Sequence, residues 1–247
     1  MHRSGAADER PPRPPSLVAI LLLLLMIGGL VWRTYDQNSL YEFSLSLWEN
    51  AVTKSPGKAR VHYNLAKEYE NIGRLEDAVR EYRLSIELKP HYVQALYNLG
   101  TLLYDQGRTD EAIETLKQAT EFKSDYTRAH FNLGLAYVRQ GRLSDAESSF
   151  LEANRLDRYD VDPLLNLGSV YYLQNRLPEA AQAYRDVLTV QPGNIDARMN
   201  LAKAYSQMGR TREARTELAT VLQYKPSQTE AAAMLESLGR ENQRPIH

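Results

Sequence analysis

HYNLAKEY at residues 62–69 returns as LYNLGTLL at 96–103, HFNLGLAY at 130–137, LLNLGSVY at 164–171 and RMNLAKAY at 198–205. Each step is 34 residues, with no insertion or deletion across five copies. A fixed period of this length marks a repeat architecture. Further along each copy a turn residue recurs as Gly73, Gly107, Gly141, Asn175 and Gly209, followed five positions later by Ala78, Ala112, Ala146, Ala180 and Ala214. Four more residues bring Tyr82, Leu116, Phe150, Tyr184 and Leu218. Pro90, Pro192 and Pro226 close three copies, while Ser124 and Arg158 hold that position in the other two.

Apolar residues recur at helical spacing on both sides of the turn residue: Leu65, Tyr69 and Ile72 before Gly73, then Ala78, Tyr82 and Ile86 after it. Gly and Asn suit the left-handed conformation that ends a helix, and a terminal Pro stops the next helix from running on. Each copy therefore reads as two short antiparallel helices, A and then B. Small residues at Ala66, Gly100, Gly134, Gly168 and Ala202 let the two backbones approach closely. One hairpin cannot bury its apolar stripe alone, so five stack into a solenoid in which each touches mainly its neighbours.

The NLG or NLA with a following aromatic, the turn Gly, the helix-B Ala and the closing Pro together resemble the tetratricopeptide-repeat (TPR) family over residues 59–228. The resemblance implies an all-α fold: a right-handed α-solenoid of five TPR helix hairpins at 59–92, 93–126, 127–160, 161–194 and 195–228. In the same register Ser44, Trp48 and Pro56 precede Ala78, Tyr82 and Pro90 by one period. Residues 39–53, within a linker and half-repeat at 33–58, thus read as the second helix of an incomplete repeat that caps the array. Residues 229–239, within 229–247, read as a C-terminal capping helix with a polar outer face, followed by a tail.

Before the array, residues 17–32 run LVAILLLLLMIGGLVW without a charge. As a helix this segment spans roughly 24 Å, somewhat short of the roughly 30 Å hydrocarbon core, with Arg33 able to snorkel. It reads as one transmembrane helix. A cleaved signal peptide is the alternative, but Trp32, Arg33, Thr34, Tyr35 and Asp36 are poor substitutes for a small-x-small cleavage site. Arg3, Arg10 and Arg13 precede the segment and only Arg33 closely follows it, so the positive-inside rule leaves residues 1–16 cytoplasmic and the array extracytoplasmic, periplasmic in a bacterium. The stretch RTYDQNSLYEFSLSLWENAVTKSPGKARVHYNLA, residues 33–66, is similar to the junction between membrane domain and TPR array in transmembrane-and-TPR mannosyltransferases. That family's catalytic membrane domain has no counterpart in the sequence, so no activity follows.

Composition narrows the chemistry. Thirty Lys and Arg against 31 Asp and Glu give a net charge of -1, a poor match to a nucleic-acid backbone. Without Cys there are no disulfides, thiolate catalysis or Cys-ligated metal. HExxH, GxSxG and phosphate-loop signatures are absent, and no two of the five His stand four residues apart, so no enzyme activity, metal or cofactor is expected. His62 and His130, where many TPRs place Trp, are expected to serve packing.

One constellation points to binding. Asn64, Asn98, Asn132, Asn166 and Asn200 recur at one register, each preceded by Tyr63, Tyr97, Phe131, Leu165 or Met199. With Leu65 and Tyr69 fixing the core face of helix A, these two positions turn toward the concave side. Carboxamides can pair with the N–H and C=O of an extended peptide without reading its side chains. The pattern resembles the asparagine ladder of the TPR domain in O-linked N-acetylglucosamine transferase. The alternative is that these amides bond within the repeat or to water. Tyr104, Leu135, Val138 and Tyr172 would extend the groove with apolar surface. Arg60, Lys67, Arg128 and Lys203 read as scattered positives on a solvated face and not as a clamp for a C-terminal carboxylate. The expectation is a membrane-anchored scaffold that binds a protein or peptide segment. Two alternatives are a self-assembling oligomer joined through its end helices, including the one bearing Trp48, and a non-catalytic accessory of a glycan-assembly complex.

Overall fold

The computed structural model describes residues 25–27, 32 and 44–241, with side chains for all of these but 240 and 241. The expected cytoplasmic tail at 1–16 lies outside these residues, as do most of the expected anchor at 17–32 and the tail beyond 241. Leu25, Met26, Ile27 and Trp32 are helical and exposed, and among the described residues no helix is long and apolar enough to cross a membrane.

Twelve helices follow one another among residues 44–241, and no strand occurs among the described residues. They are α1 (44–54), α2 (Ala59–Asn71), α3 (Leu75–Leu88), α4 (Val93–Asp105), α5 (Thr109–Phe122) and α6 (Thr127–Arg139). Then come α7 (Leu143–Leu156), α8 (Asp162–Leu173), α9 (Leu177–Val190), α10 (Ile195–Gln207), α11 (Thr211–Tyr224) and α12 (Thr229–Glu241). Even-numbered helices are the A helices and odd-numbered ones the B helices. Each packs mainly on its sequence neighbours, and successive A helices also approach one another, α4 with α6 and α8 with α10. This is the one-dimensional packing of a solenoid.

Every A-to-B turn is built the same way. Gly73, Gly107, Gly141 and Gly209 hold φ between +73° and +78°, and Asn175 takes the same left-handed region at +60°. The following residue's N–H then reaches back to close the helix, as from Arg74 to the Tyr69 carbonyl at 2.8 Å, repeated by Arg108, Arg142, Arg176 and Arg210. Asp77, Glu111, Asp145, Glu179 and Glu213 lie in the first turns of the B helices, where the helix dipole favours a carboxylate.

The small residues of the A helices set the helix spacing. A Cβ added to Gly134 would lie 2.6 Å from Phe150 Cε1, and one on Gly168 would lie 2.5 Å from Tyr184 Cε1. The buried Phe150 and Tyr184 rings therefore fill the space a side chain would need. At the N-terminal end α1 packs Leu45, Trp48 and Val52 against the core of the first two repeats, and Glu49 accepts a hydrogen bond from Tyr69 Oη at 3.0 Å. At the other end α12 stands in A-helix register, with Ala231 and Leu238 buried. Glu236, one period after Ala202, occupies the register where every complete repeat has Gly or Ala.

His62 is buried. Its Nδ1 lies 2.7 Å from Glu81 Oε2 and its Nε2 2.8 Å from the Pro56 carbonyl. The expected packing role is thus joined by a polar one, the ring tying helix B of its own repeat to the preceding loop. His130 repeats half of the arrangement, with Nε2 2.9 Å from the Ser124 carbonyl.

Candidate peptide-binding face

The A helices carry the asparagine ladder on one side, and all five carboxamides are half-buried. Their partners differ along the array. Asn98 Nδ2 donates to Tyr63 Oη at 3.3 Å and to Tyr82 Oη at 3.4 Å. Asn132 Nδ2 donates to Tyr97 Oη at 3.5 Å and to Thr101 Oγ1 at 2.8 Å. Asn166 turns back on its own helix and donates to the Asp162 carbonyl at 2.9 Å. Asn64 and Asn200 have no hydrogen-bond partner among the described residues.

Part of the difference lies 35 positions earlier, beside the further acceptors Tyr82 and Thr101. Asn98 and Asn132 meet Tyr63 and Tyr97, which have a hydroxyl, whereas Phe131 and Leu165 stand opposite Asn166 and Asn200 and offer none. The ladder is therefore one motif with three chemical states, Asn166 in the fourth repeat being bonded only to its own helix. In the second and third repeats it is tied into the array, and in the first and fifth the amide has no partner within it.

The residues before the asparagines also divide. Tyr63 packs against Tyr82 and Tyr92 at centroid distances of 6.0 and 5.1 Å, Tyr97 against Tyr126 at 5.0 Å, and Phe131 against Phe150 at 5.8 Å. Leu165 is half-buried against α9 and α10, while Met199 is only 4% exposed and belongs to the core. Leu135 and Val138 are half-buried beside Phe131, and Tyr172 is half-buried against the C-terminal core. Tyr104 lies under Arg139, whose guanidinium is 3.5 Å from the ring centroid and hydrogen-bonds to the Tyr104 carbonyl.

Two residues at the edge of this face, Tyr92 and Tyr126, were not singled out by the sequence reading. They precede α4 and α6 one period apart, and Lys89 and Lys123 lie over their rings at 5.1 and 5.3 Å. Burial pushes both phenols above the ordinary tyrosine range, with the hydroxyls of Tyr63 and Tyr97 respectively adding to it. The signal was available as a Lys-x-x-Tyr recurring at 34 residues. Beyond Tyr126 the face opens into a depression of about 620 Å³ lined by Asp125, Tyr126, Thr127, Arg128, Asp157, Tyr159 and Asp160. Among the described residues no group of three His, Cys, Asp or Glu is placed to hold a metal.

A second series also escaped the sequence reading. Arg74, Arg108, Arg142, Arg176 and Arg210 follow the turn residues and pair with the carboxylate three positions on, at 2.5 to 3.1 Å. Four of them stack over Tyr69, Tyr137, Tyr171 and Tyr205 at 4.3 to 4.5 Å from the ring centroid. These arginines are structural pins, each saturated by a ring, a carboxylate or both.

The repeat, its turn geometry and the A-helix face define a TPR-type solenoid. The profile of the cilia and flagella-associated protein 70 C-terminal domain matches residues 42–244, and the chain belongs to that family. The chain is also 35% identical over 80 residues to the mouse protein O-mannosyl-transferase TMTC1, a match covering 32% of this chain and 8% of the relative. The corresponding Caenorhabditis elegans protein F38B6.6 is 33% identical over 78 residues, covering 32% of this chain and 11% of the relative. Each match thus spans about a tenth of the transferase or less. Among solved structures the fold is similar to YrrB, described as a TPR protein with an unusual peptide-binding site, at TM-score 0.68 and 20% identity over 75% of this chain and 96% of that one. MamA gives TM-score 0.66 at 24% identity over 70% and 94%, and Pseudomonas aeruginosa pilF gives 0.64 at 20% over 84% and 93%.

Proposed function

We propose that this protein is a membrane-anchored scaffold whose A-helix face binds an extended peptide segment of a protein partner on the extracytoplasmic side, without catalysis of its own. The observation that carries the reading is the unequal ladder: Asn64 and Asn200 keep half-buried amides without partners in the array. Among the described residues no buried side-chain nitrogen or oxygen lacks a partner, so these two amides are open to water, and an extended peptide backbone supplies a donor and an acceptor that can take its place. The anchor and orientation rest on the charge-free run at 17–32 and its flanking arginines. YrrB, with its described peptide-binding site, is compatible with the reading at the level of fold.

The test is photo-crosslinking in cells from a probe at Leu135, half-buried beside Phe131. Capture of a distinct exported protein, lost in Asn64→Ala with Asn200→Ala, is expected. Self-crosslinks alone would move the reading to oligomerisation. A second reading, a non-catalytic accessory of a glycan-assembly complex, is favoured by the 80-residue similarity to O-mannosyl-transferases and would be supported if the captured protein were a glycosyltransferase. Self-assembly by end-to-end stacking draws no support from α12, where Glu236 takes the register at which each repeat needs a small residue.

A further inference from the structure

Lys89, Tyr92 and Tyr63 form one contact chain, and Lys123, Tyr126 and Tyr97 repeat it one period later. Arg60 and Arg128 stand close enough to Tyr92 and Tyr126 to act on their hydroxyls electrostatically. All four cations are exposed, and among the described residues none has a carboxylate within 4.0 Å. The contrast with the turn arginines is sharp, since each of those is paired. These cations thus have no direct carboxylate partner beside aromatic rings that are already ordered, although Arg128 shares its depression with Asp125, Asp157 and Asp160.

The next repeat turns acidic at the same three registers, reversing the sign at two of them and placing a carboxylate where Tyr126 is neutral. Lys123, Tyr126 and Arg128 become Asp157, Asp160 and Asp162. Two of these aspartates are used locally, Asp157 accepting from the Tyr159 and Asp160 N–H groups and Asp160 from that of Asp162. The change falls at the depression shared by Arg128 and Asp157. A ligand drawn to the cations is therefore repelled where the fourth repeat begins, which gives its charged part a defined end.

We infer that the first three repeats hold an acidic extended segment of a protein partner, its carboxylates meeting Arg60, Lys89, Lys123 and Arg128 and its apolar or prolyl groups lying on Tyr63, Tyr92, Tyr97 and Tyr126. The inference rests on the peptide-binding reading and adds the chemistry of the ligand. The cations recur along the array and do not converge on one point, so they suit a succession of carboxylates and not a single chain terminus. Tyrosine faces accept proline and aliphatic groups, while their hydroxyls donate to carboxylates. Because the pairs are exposed, attraction should act mainly on encounter and fall with salt.

The experiment uses the full chain in detergent micelles and fluorescence anisotropy with labelled peptides of equal length: alternating Glu and Pro, Gln and Pro, or Lys and Pro. The Glu peptide should bind tightest, and its affinity should weaken with added salt. Lys89→Glu with Lys123→Glu should cost the Glu peptide roughly tenfold or more and leave the Gln peptide little changed. Lys89→Gln with Lys123→Gln should cost it less, and circular dichroism should show both variants folded, since both lysines are exposed. Equal binding of all three peptides, unaffected by charge reversal, overturns the acidic ligand and leaves the groove standing. Binding of none overturns both readings. A single-stranded oligonucleotide that outcompetes the Glu peptide overturns the inference in favour of nucleic acid.

Discussion

Asn98 Nδ2 donates to Tyr63 Oη across 35 residues of sequence, from one A helix to the next. Asn132 does the same to Tyr97, so in this part of the array the ladder acts as inter-repeat stitching. The amides there are spent on neighbours, and a peptide would have to displace those bonds to use them. Asn98→Ala is accordingly expected to lower stability by about 1 kcal/mol, the usual worth of a hydrogen bond between neutral partners. Asn200→Ala, with no such bond to lose, should leave the unfolding midpoint nearly unchanged. Thermal melts of the two variants decide it: equal losses would mean that the tyrosine partners contribute nothing.

His62 and Arg198 occupy one register four periods apart, and both join a helix-B glutamate to the carbonyl six residues back. Arg198 Nη1 lies 2.7 Å from Glu217 Oε2 while its Nη2 reaches the Pro192 carbonyl at 2.8 Å, matching the contacts of His62 with Glu81 and Pro56. The first and last repeats therefore use one device with two side chains. His62→Arg should keep most of the stability. His62→Ala should cost roughly 2 to 4 kcal/mol because the buried Glu81 carboxylate loses its main partner, with only Arg80 nearby at 3.6 Å. Denaturant unfolding of both variants checks it, and the pairing has no energetic role if alanine is as good as arginine.

The fold was legible because a 34-residue period leaves little freedom. Once Gly73 and its equivalents are read as helix ends, the A and B helices and the stacked core follow, and α1 and α12 fall in the same register. α12 runs to Glu241 where the sequence reading ended it at 239, since nothing at 240 or 241 stops a helix. The face was less legible. All five asparagines look alike in sequence, and their different bonding depends on which hydroxyls neighbouring helices bring to them, Tyr63 and Tyr82 for Asn98 and Tyr97 and Thr101 for Asn132, which is a matter of packing and not a property of the motif. Met199 reads as a groove residue by register, yet it is buried because α8 to α11 close over it. The turn arginines and the Lys-x-x-Tyr pairs were missed because attention to apolar periodicity passes over charges. Their meaning lies in which have a carboxylate within reach, and only coordinates supply that.

Gly168→Ala brings a Cβ to 2.5 Å from Tyr184 Cε1, against a ring that is only 2% exposed. The phenol also meets Ser169 Oγ at 3.3 Å, so the ring cannot swing away freely. Overpacking of this kind costs about 1 to 3 kcal/mol. Alanine recovers up to about 1 kcal/mol through its higher helix propensity. With the full propensity gain subtracted, the net expectation is a loss of up to about 2 kcal/mol. Gly193→Ala meets nothing within 4 Å and serves as the control in the same denaturant titration.

Tyr82 is fully buried, and its Oη donates to Glu70 Oε2 at 2.7 Å. Burial, and then the hydrogen bond to that carboxylate, push its phenol far above the ordinary range, and burial also raises that of Tyr184. A group whose pKa is higher in the folded state binds its proton more tightly there, so its contribution is complete below the unfolded pKa and is lost as pH rises above it. Stability should therefore hold to about pH 10, the unperturbed tyrosine value, and fall beyond it. Tyr82→Phe removes the ionisation along with two hydrogen bonds, the one donated to Glu70 and the one accepted from Asn98. It should lower the melting temperature at neutral pH and flatten its decline on the alkaline side. Melting curves of both proteins between neutral and strongly alkaline pH test this, and parallel alkaline slopes would show that Tyr82 does not govern the loss.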